Sequence, residues 1–210
     1  MLKIGAILAQ TPKGGIGYKG KLPWENNGIR LTQDMILFRQ LTKTTPECRR
    51  AVAMGYNTWM SLPIERLPGR TNYVISKNHK TPLPTFESIH DCISHAISTK
   101  HNELWFIGGA QIYEYIFRSN LVDEIWRTTV KYDFPCDTFV PDIPAKYQRV
   151  YHFVNKNSPI KINTNDISLI KIDFINETIP IDIEQFITSD SHNPNNIGQV
   201  ETIKVLGENV

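Results

Sequence analysis

Asp34 is the residue whose type and position most plainly ask for a chemical explanation. Written on a helix, Leu31, Asp34, Met35, Phe38 and Leu41 follow the i, i+3, i+4, i+7 spacing of one face, which puts an acid on an apolar stripe. A carboxylate enclosed among Leu, Met and Phe costs roughly several kcal/mol unless something pairs with it. The partner is either a group of the fold, such as a backbone amide or an arginine, or a ligand. Just upstream, Lys13 to Gly20 is dense in glycine and leads into Leu22-Pro23-Trp24. Such a loop reads either as a lid with an anchored hinge or as a tight turn whose Trp only packs.

Other chemistry-bearing residues recur at the ends of apolar runs. Ala51 to Gly55 is a short apolar strand handing over to Tyr56-Asn57-Thr58-Trp59-Met60-Ser61-Leu62, a short helix whose first amides could meet a phosphate. Leu67-Pro68-Gly69 forms a turn carrying Arg70 into the strand Thr71 to Ser76; an arginine there is either solvated or a fork for a carboxylate. Lys77, His79 and Lys80 crowd the end of that strand, where they either suit a phosphate or are an ordinary charged loop. Glu103 to Phe117 reads as an apolar strand, the turn Gly108-Gly109, and a helix with Ile112, Tyr113, Ile116 and Phe117 toward the sheet. A glycine pair permits close approach to a pyrophosphate, although GxGxxG is absent.

The elements that must position these residues alternate. Ile4 to Ala9 is a first strand buried on both faces, and Ser88 to Ser98 is a weakly helical segment with Ile89, Ile93 and Ile97 at four-residue spacing. Glu124 to Val130, Tyr147 to Val154 and Ile167 to Ile175 read as later strands. The pattern predicts an α/β fold with a mixed, mostly parallel central sheet ending in an antiparallel strand pair and flanked by helices. Residues 1–176 are expected to form this domain; residues 177–210, with Ser189 to Asn196 poor in core formers, are expected to be a flexible or linker-like extension, in which Gln199 to Leu206 either forms an isolated strand or docks on a partner.

Composition narrows the function classes. With 210 residues, 40% hydrophobic and 21% charged, the chain suits one globular domain. A net charge of +2 without a basic run argues against nucleic acid, and no stretch is apolar enough to span a bilayer. Cys48, Cys92 and Cys136 are odd in number and form no CxxC pair, so neither a disulfide framework nor a metal site is expected, and the cytoplasm fits best.

Taken in order, Ala9 with Gly15-Ile16-Gly17, Leu22-Pro23-Trp24, Asp34 with Phe38, Met54-Gly55 with Thr58-Trp59 and Ser61, Leu67-Pro68-Gly69-Arg70, Ile107-Gly108-Gly109 with Tyr113, and Asp137-Thr138 resemble dihydrofolate reductase over roughly Leu2 to Asn176. The resemblance implies NADPH-dependent reduction of 7,8-dihydrofolate to tetrahydrofolate, sensitivity to methotrexate and, unless the extension mediates assembly, a monomer. It implies that Asp34 pairs with the pterin edge and promotes protonation at N5, with Leu22, Trp24 and Thr128 completing the catalytic group. Ile7, Leu8, Met35, Phe38, Ser61, Leu62 and Leu67 would surround the substrate and Arg70 would take its glutamate α-carboxylate. Ala9, Gly15, Ile16, Gly17, Lys19, Gly20, Lys21 and Leu22 would lie over the nicotinamide. Gly55, Tyr56, Asn57, Thr58, Ile75, Ser76, Lys77, Ile107, Gly108, Gly109, Ala110, Gln111, Ile112 and Tyr113 would hold the rest of the cofactor.

One departure stands out. After Met54-Gly55 the family usually places one or two basic residues, and here the pair is Tyr56-Asn57. The expectation is that NADPH is preferred over NADH by a narrower margin than in relatives with the full basic pair. Alternatives are a pterin or pyrimidine reductase of the same fold, a catalytically idle relative, or the reductase portion of a fusion with thymidylate synthase. Leu22-Pro23-Trp24 together with Asp34 and Arg70 argues against the first, and nothing in Glu177 to Val210 resembles a synthase active site.

Overall fold

Ala6, Ile7 and Leu8 are buried in succession, as a strand covered on both faces requires, and their strand, β1 (Lys3–Gln10), lies near the middle of the sheet. The computed structural model describes residues 1–162 and 178–188. Following β1 are β2 (Gly15–Gly17), a 3-10 turn (Glu25–Asn27), β3 (Ile29–Leu31), α1 (Thr32–Thr42), β4 (Arg50–Gly55), α2 (Tyr56–Ser61), β5 (Thr71–Ile75) and β6 (Thr85–Phe86). Then come α3 (Ile89–Ser98), β7 (Glu103–Phe106), α4 (Ala110–Arg118), β8 (Glu124–Val130), β9 (Thr138–Phe139), β10 (Tyr147–Ile162) and β11 (Thr178–Thr188).

Among the described residues, one sheet runs in the order β3-β10-β11-β8-β1-β7-β4-β5-β6. From β8 to β6 neighbouring strands are parallel, while β11, β10 and β3 add antiparallel pairs at the other end. The mixed, mostly parallel sheet is therefore as expected. On one face Ala6, Leu8, Phe106 and Ile125 meet Cys92 and Ala96 of α3 and Ile112, Tyr113, Ile116 and Phe117 of α4. On the other, Ile7, Val52, Met54, Trp105, Trp126 and Ile183 meet Leu37 of α1.

Two helices follow the expected spacing in part, with Leu31, Phe38, Leu41, Ile89 and Ile93 packed on the core. In α3, Ile97 is 58% exposed, and the residues buried are Ile89, Cys92 and Ala96, whose small side chains let the helix sit close to the sheet. Its start is fixed by Ser88, whose hydroxyl accepts from the Asp91 amide at 3.1 Å and donates to the Asp91 carboxylate at 2.7 Å. In α1 the fully buried apolar residue is Leu37, Phe38 and Leu41 are partly buried, and Met35 is 46% exposed.

The expected boundary at residue 176 is corrected by β11. Thr178–Thr188 inserts between β8 and β10, with Ile179, Ile181, Ile183 and Phe186 buried. Glu184 is buried too, held by Arg127 from β8 and Arg149 from β10. This segment is a core strand and not a linker. The expected strand Ile167 to Ile175 and the segments Ser189 to Asn196 and Gln199 to Leu206 lie outside the described residues.

Replacing Ile183 with Ala should destabilise the protein by about 2–5 kcal/mol, since it empties a fully enclosed site. Chemical denaturation of the two proteins checks this; a loss under about 0.5 kcal/mol would mean that β11 is dispensable.

Candidate active site

The residues with unmet chemical needs gather around the start of α1 and the adjoining ends of β1 and β8. Asp34 lies in the first turn of α1, where the helix dipole favours its charged form. Enclosure wins over that effect: loss of solvation pushes the carboxyl up to about 6, and only the Thr128 hydroxyl draws it back. Thr128 pairs with Ala9 across the parallel β1–β8 register, which aims its side chain at the same face as Ile7 and Trp126. Thr128 Oγ1 faces Asp34 closely enough to act on its charge, yet it makes no hydrogen bond of normal geometry among the described residues. The Trp126 indole N–H on the same face of β8 is buried without a partner in the same way. Polar groups left like this are costly in a core and ordinary in a site that awaits a ligand.

Around Asp34 the walls are mostly apolar, with Glu25 and Arg30 in the lining. Leu22, Trp24, Leu31 and Met35 share with it a small cavity of about 10 Å³, about the size of one water. Trp24 is 2% exposed and packs edge-on to Phe134 with Ile29 and Leu31, so its anchoring role is satisfied in the core. Glu25 also lines this cavity; burial pushes its carboxyl up, opposed by the Leu22 backbone, Arg30 and Lys21. Tyr113 reaches the site from α4 and donates to the Ile7 carbonyl at 2.7 Å. Burial and the Asp34 charge both hold its phenol well above the usual range, which places the two side chains in one electrostatic environment. Leu8, by contrast, points to the opposite face, so only its backbone is available to the site.

Farther along α1, Phe38, Leu62 and Leu67 form a partly buried apolar wall. Arg70 lies over the Phe38 ring with its guanidinium carbon 5.4 Å from the centroid and donates to the Thr42 hydroxyl. It forms no ion pair among the described residues, and burial and neighbouring Arg39 depress its pKa. Its Nε also donates to the Pro68 carbonyl at 3.2 Å, and a half-buried guanidinium with further N–H groups to offer, a second cation nearby and no carboxylate among the described residues can receive an anion. Its turn is stapled by Asn72, 4% exposed, whose amide nitrogen donates to the carbonyls of Leu67 and Arg70 at 2.9 Å and whose oxygen accepts from the Leu67 amide at 2.9 Å. Ser61 is exposed, and its hydroxyl turns back to the Thr58 carbonyl at 2.7 Å. Sequence reasoning passed over Arg39, Thr42 and Asn72. An Asn at an inward position of an apolar strand was the one available signal.

The expected lid is a tethered hairpin. β2 pairs with β9, and the Lys19 amide donates to the Asp137 carboxylate at 2.8 Å. Tyr18 and Lys21 exchange backbone hydrogen bonds around Lys19 and Gly20, both of which have positive φ. Gly15 and Gly17 are glycines because the Cys136 and Thr138 side chains occupy the space a Cβ would need. Ile16 packs against the α3/α4 face of the core.

A second focus lies along the C-terminal ends of the adjacent parallel strands β7, β4 and β5. The Gly55 amide donates to the Gly108 carbonyl at 2.8 Å, and the Ile107 amide to the Ala53 carbonyl at 3.0 Å, so the turns after β4 and β7 lie side by side. The Gly108-Gly109 peptide is cis, and Gly108 has φ +114° with the Tyr113 ring 3.3 Å from where its Cβ would lie. Gly109 precedes Ala110, Gln111 and Ile112 at the start of α4, and a Cβ on it would sit 3.1 Å from the Thr58 hydroxyl. This bare backbone beside a helix N-terminus is fit to take a pyrophosphate. One strand over, Gly55 is in register with Ile75, which puts Tyr56 and Asn57 beside Ser76 and Lys77.

Residues 3–172 match a family model described as dihydrofolate reductase. The chain belongs to the dihydrofolate reductase family. A dihydrofolate reductase of Drosophila melanogaster is 32% identical over 160 residues, covering 71% of this chain and 85% of that protein. The Candida albicans dihydrofolate reductase is 33% identical over 150 residues, 64% of this chain and 73% of that one. A bifunctional dihydrofolate reductase-thymidylate synthase of Daucus carota is 35% identical over 151 residues, 64% of this chain, and the match spans 27% of its own length. The fold superposes on a dihydrofolate reductase from Enterococcus faecalis complexed with NADP(H) and RAB-propyl with a TM-score of 0.68 at 22% identity, covering 90% of this chain and 97% of that one.

The Asp34 environment has a measurable thermodynamic signature. Its folded carboxyl titrates near 6 and its ordinary value is 3.8, so the fold favours the protonated acid. That advantage is complete below 3.8 and is lost as pH rises through about 6. Asp34→Asn should therefore stabilise the ligand-free protein at pH 7.5, by about 2–3 kcal/mol, and leave stability unchanged at pH 3.5. Urea denaturation at both pH values checks it; equal effects would show that charge burial is not the cause.

Proposed function

We propose that this chain reduces 7,8-dihydrofolate with NADPH and a proton, yielding 5,6,7,8-tetrahydrofolate and NADP+, and so supplies one-carbon metabolism and thymidylate synthesis. The observation carrying the reading is Asp34: a carboxyl raised to about 6, in a cavity it shares with Leu22, Trp24, Leu31 and Met35, and with no ion pair to Arg30 or any other cation among the described residues. A pterin presents an exocyclic amino group beside a ring nitrogen, and one carboxylate accepts from both. Arg70, likewise without a carboxylate, takes the α-carboxylate at the other end of the substrate, with Phe38, Leu62 and Leu67 along the aryl ring between them.

Bound NADPH supplies the hydride that reaches C6. The chain's own residues do the rest. The cradle at Gly108-Gly109, where a Cβ would crowd Tyr113 and Thr58, accepts the pyrophosphate. Ile7 offers its carbonyl, polarised by the Tyr113 hydroxyl, at the junction of the two ligands. The hairpin over residues 16–22 covers the junction and keeps bulk water from the hydride path. Asp34, titrating near neutrality and held by Thr128, promotes proton delivery to N5 through the water-sized cavity at its side. Cytoplasmic location and inhibition by methotrexate follow from the same reading.

Dihydrofolate-dependent oxidation of NADPH, followed by absorbance and stopped by methotrexate, tests the proposal; absence of turnover would end it. As Asp34 must bind a proton, kcat/KM for dihydrofolate should fall as pH rises through about 6, and Asp34→Ala should lose most of the rate at neutral pH. A pH-independent kcat/KM in the parent protein would remove Asp34 from the proton step. Arg70→Leu should raise KM for dihydrofolate by about 10- to 100-fold with kcat little changed, the signature of lost uniform binding. An unchanged KM would assign the carboxylate elsewhere.

A further inference from the structure

Tyr56 stands where the family usually has a basic residue, and its side chain is engaged. Its ring is stacked on His79, with centroids 4.1 Å apart and planes 11° from parallel. Trp59 backs Tyr56 from the same helix at 5.7 Å. The backbone of His79 is fixed as well, its amide donating to the Ser76 hydroxyl at 3.0 Å. The imidazole is thus held in place although the residue is exposed and lies in a loop after β5. Gly55 and Ile75 are paired in the parallel register, so the Tyr56–His79 stack bridges the turns after β4 and β5, on the side of β4 away from Gly108-Gly109. Strands are about 4.8 Å apart. The stack therefore lies within the reach of one nucleotide from the pyrophosphate cradle, beside Ser76 and Lys77.

Resting on the proposed use of NADPH, we infer that His79, positioned by Tyr56, is the cation that reads the 2′-phosphate of the cofactor in this chain. A 2′-phosphate adds about −1.5 to −2 charges at neutral pH. Lys77 and Lys80 flank His79 and form no ion pair among the described residues, but neither side chain is held by a hydrogen bond there. A flexible lysine gives up rotamer entropy to hold a phosphate; an imidazole already stacked against a phenol gives up little. An imidazolium held at this point supplies the charge that a Lys or Arg at Tyr56 or Asn57 would have supplied. His79 specifies the cofactor and Tyr56 positions His79.

The test measures Kd for NADP+ and for NAD+ by isothermal titration calorimetry at pH 6.0, with circular dichroism to show that each variant is folded. His79→Phe, which keeps a stacking ring and loses the charge, should weaken NADP+ binding about tenfold or more and leave NAD+ binding unchanged. His79→Arg should restore NADP+ binding. Tyr56→Phe, which keeps the stack, should behave as the parent. Tyr56→Ala should lose part of the NADP+ preference, and combining it with His79→Phe should cost no more than His79→Phe alone. Equal weakening of both dinucleotides in His79→Phe, or no weakening of either, would overturn the assignment. Tighter binding of both by the variants would instead make the stack an obstruction in the adenosine site. A parent protein that bound neither dinucleotide would overturn the proposed function and this inference together.

Discussion

The price of enclosing one carboxylate organises this molecule. Asp34 sits in the first turn of α1 among Leu22, Trp24, Leu31 and Met35, and burial leaves it near neutrality in its titration. A stability-optimised protein would have replaced it with an apolar residue, because a buried acid without a partner is a persistent cost. The surrounding structure is rigid enough to hold it there. Trp24 and Phe134 clamp one side, Leu37 anchors α1 on the sheet, and β8 brings Thr128 underneath. The same logic applies to Arg70, whose turn is held by a buried Asn while its guanidinium lacks an anionic partner among the described residues. Two opposite charges, each unmet, mark the two ends of the proposed substrate.

The second organising element is the row of turns at the C-terminal ends of β7, β4 and β5. Parallel strands bring successive strand-to-helix turns to one edge, and a dinucleotide lies along such an edge. Gly108-Gly109 removes side chains where backbone must approach closely, and the next turns carry the polar and aromatic groups. Pyrophosphate binding depends on bare amides, whereas discrimination at the far end depends on side chains.

Much of this was legible in the sequence because the signals are local. The acid on the α1 stripe, the glycine pair between an apolar strand and an amphipathic helix, and the Pro-Gly turn before Arg70 each sit within a few residues. What stayed hidden depends on partners distant in sequence. β11 alternates Ile179, Ile181 and Ile183 with Asp182 and Glu184, a strand pattern, but Pro180 argues against an inner strand and the acids look solvated. The structure resolves both objections: the Pro180 carbonyl still accepts from Lys131, and the acids meet Arg127, Arg149 and Lys131 from neighbouring strands. The exposure of Met35 and Ile97 is hidden for a related reason. Long Ile and Met side chains carry the stronger apolar signal, but Leu37, Cys92 and Ala96 are the residues whose size suits the space beneath those helices. The stack of Tyr56 on His79 crosses two turns and leaves no mark in spacing at all.

The position of β11 has a temporal side. β8 carries Thr128, and its free edge is closed by Thr178–Thr188, which also supplies the neighbour of β10. During synthesis, then, the parallel half of the sheet from β1 to β8 can assemble while β8 still presents an unpaired edge, and that edge stays open until residue 188 has left the ribosome. Open edges of this kind are where nascent chains pair wrongly with one another. Glu184 between Arg127 and Arg149 gives the late strand a charge-matched register, so the segment that arrives last is also the one addressed most specifically to its slot.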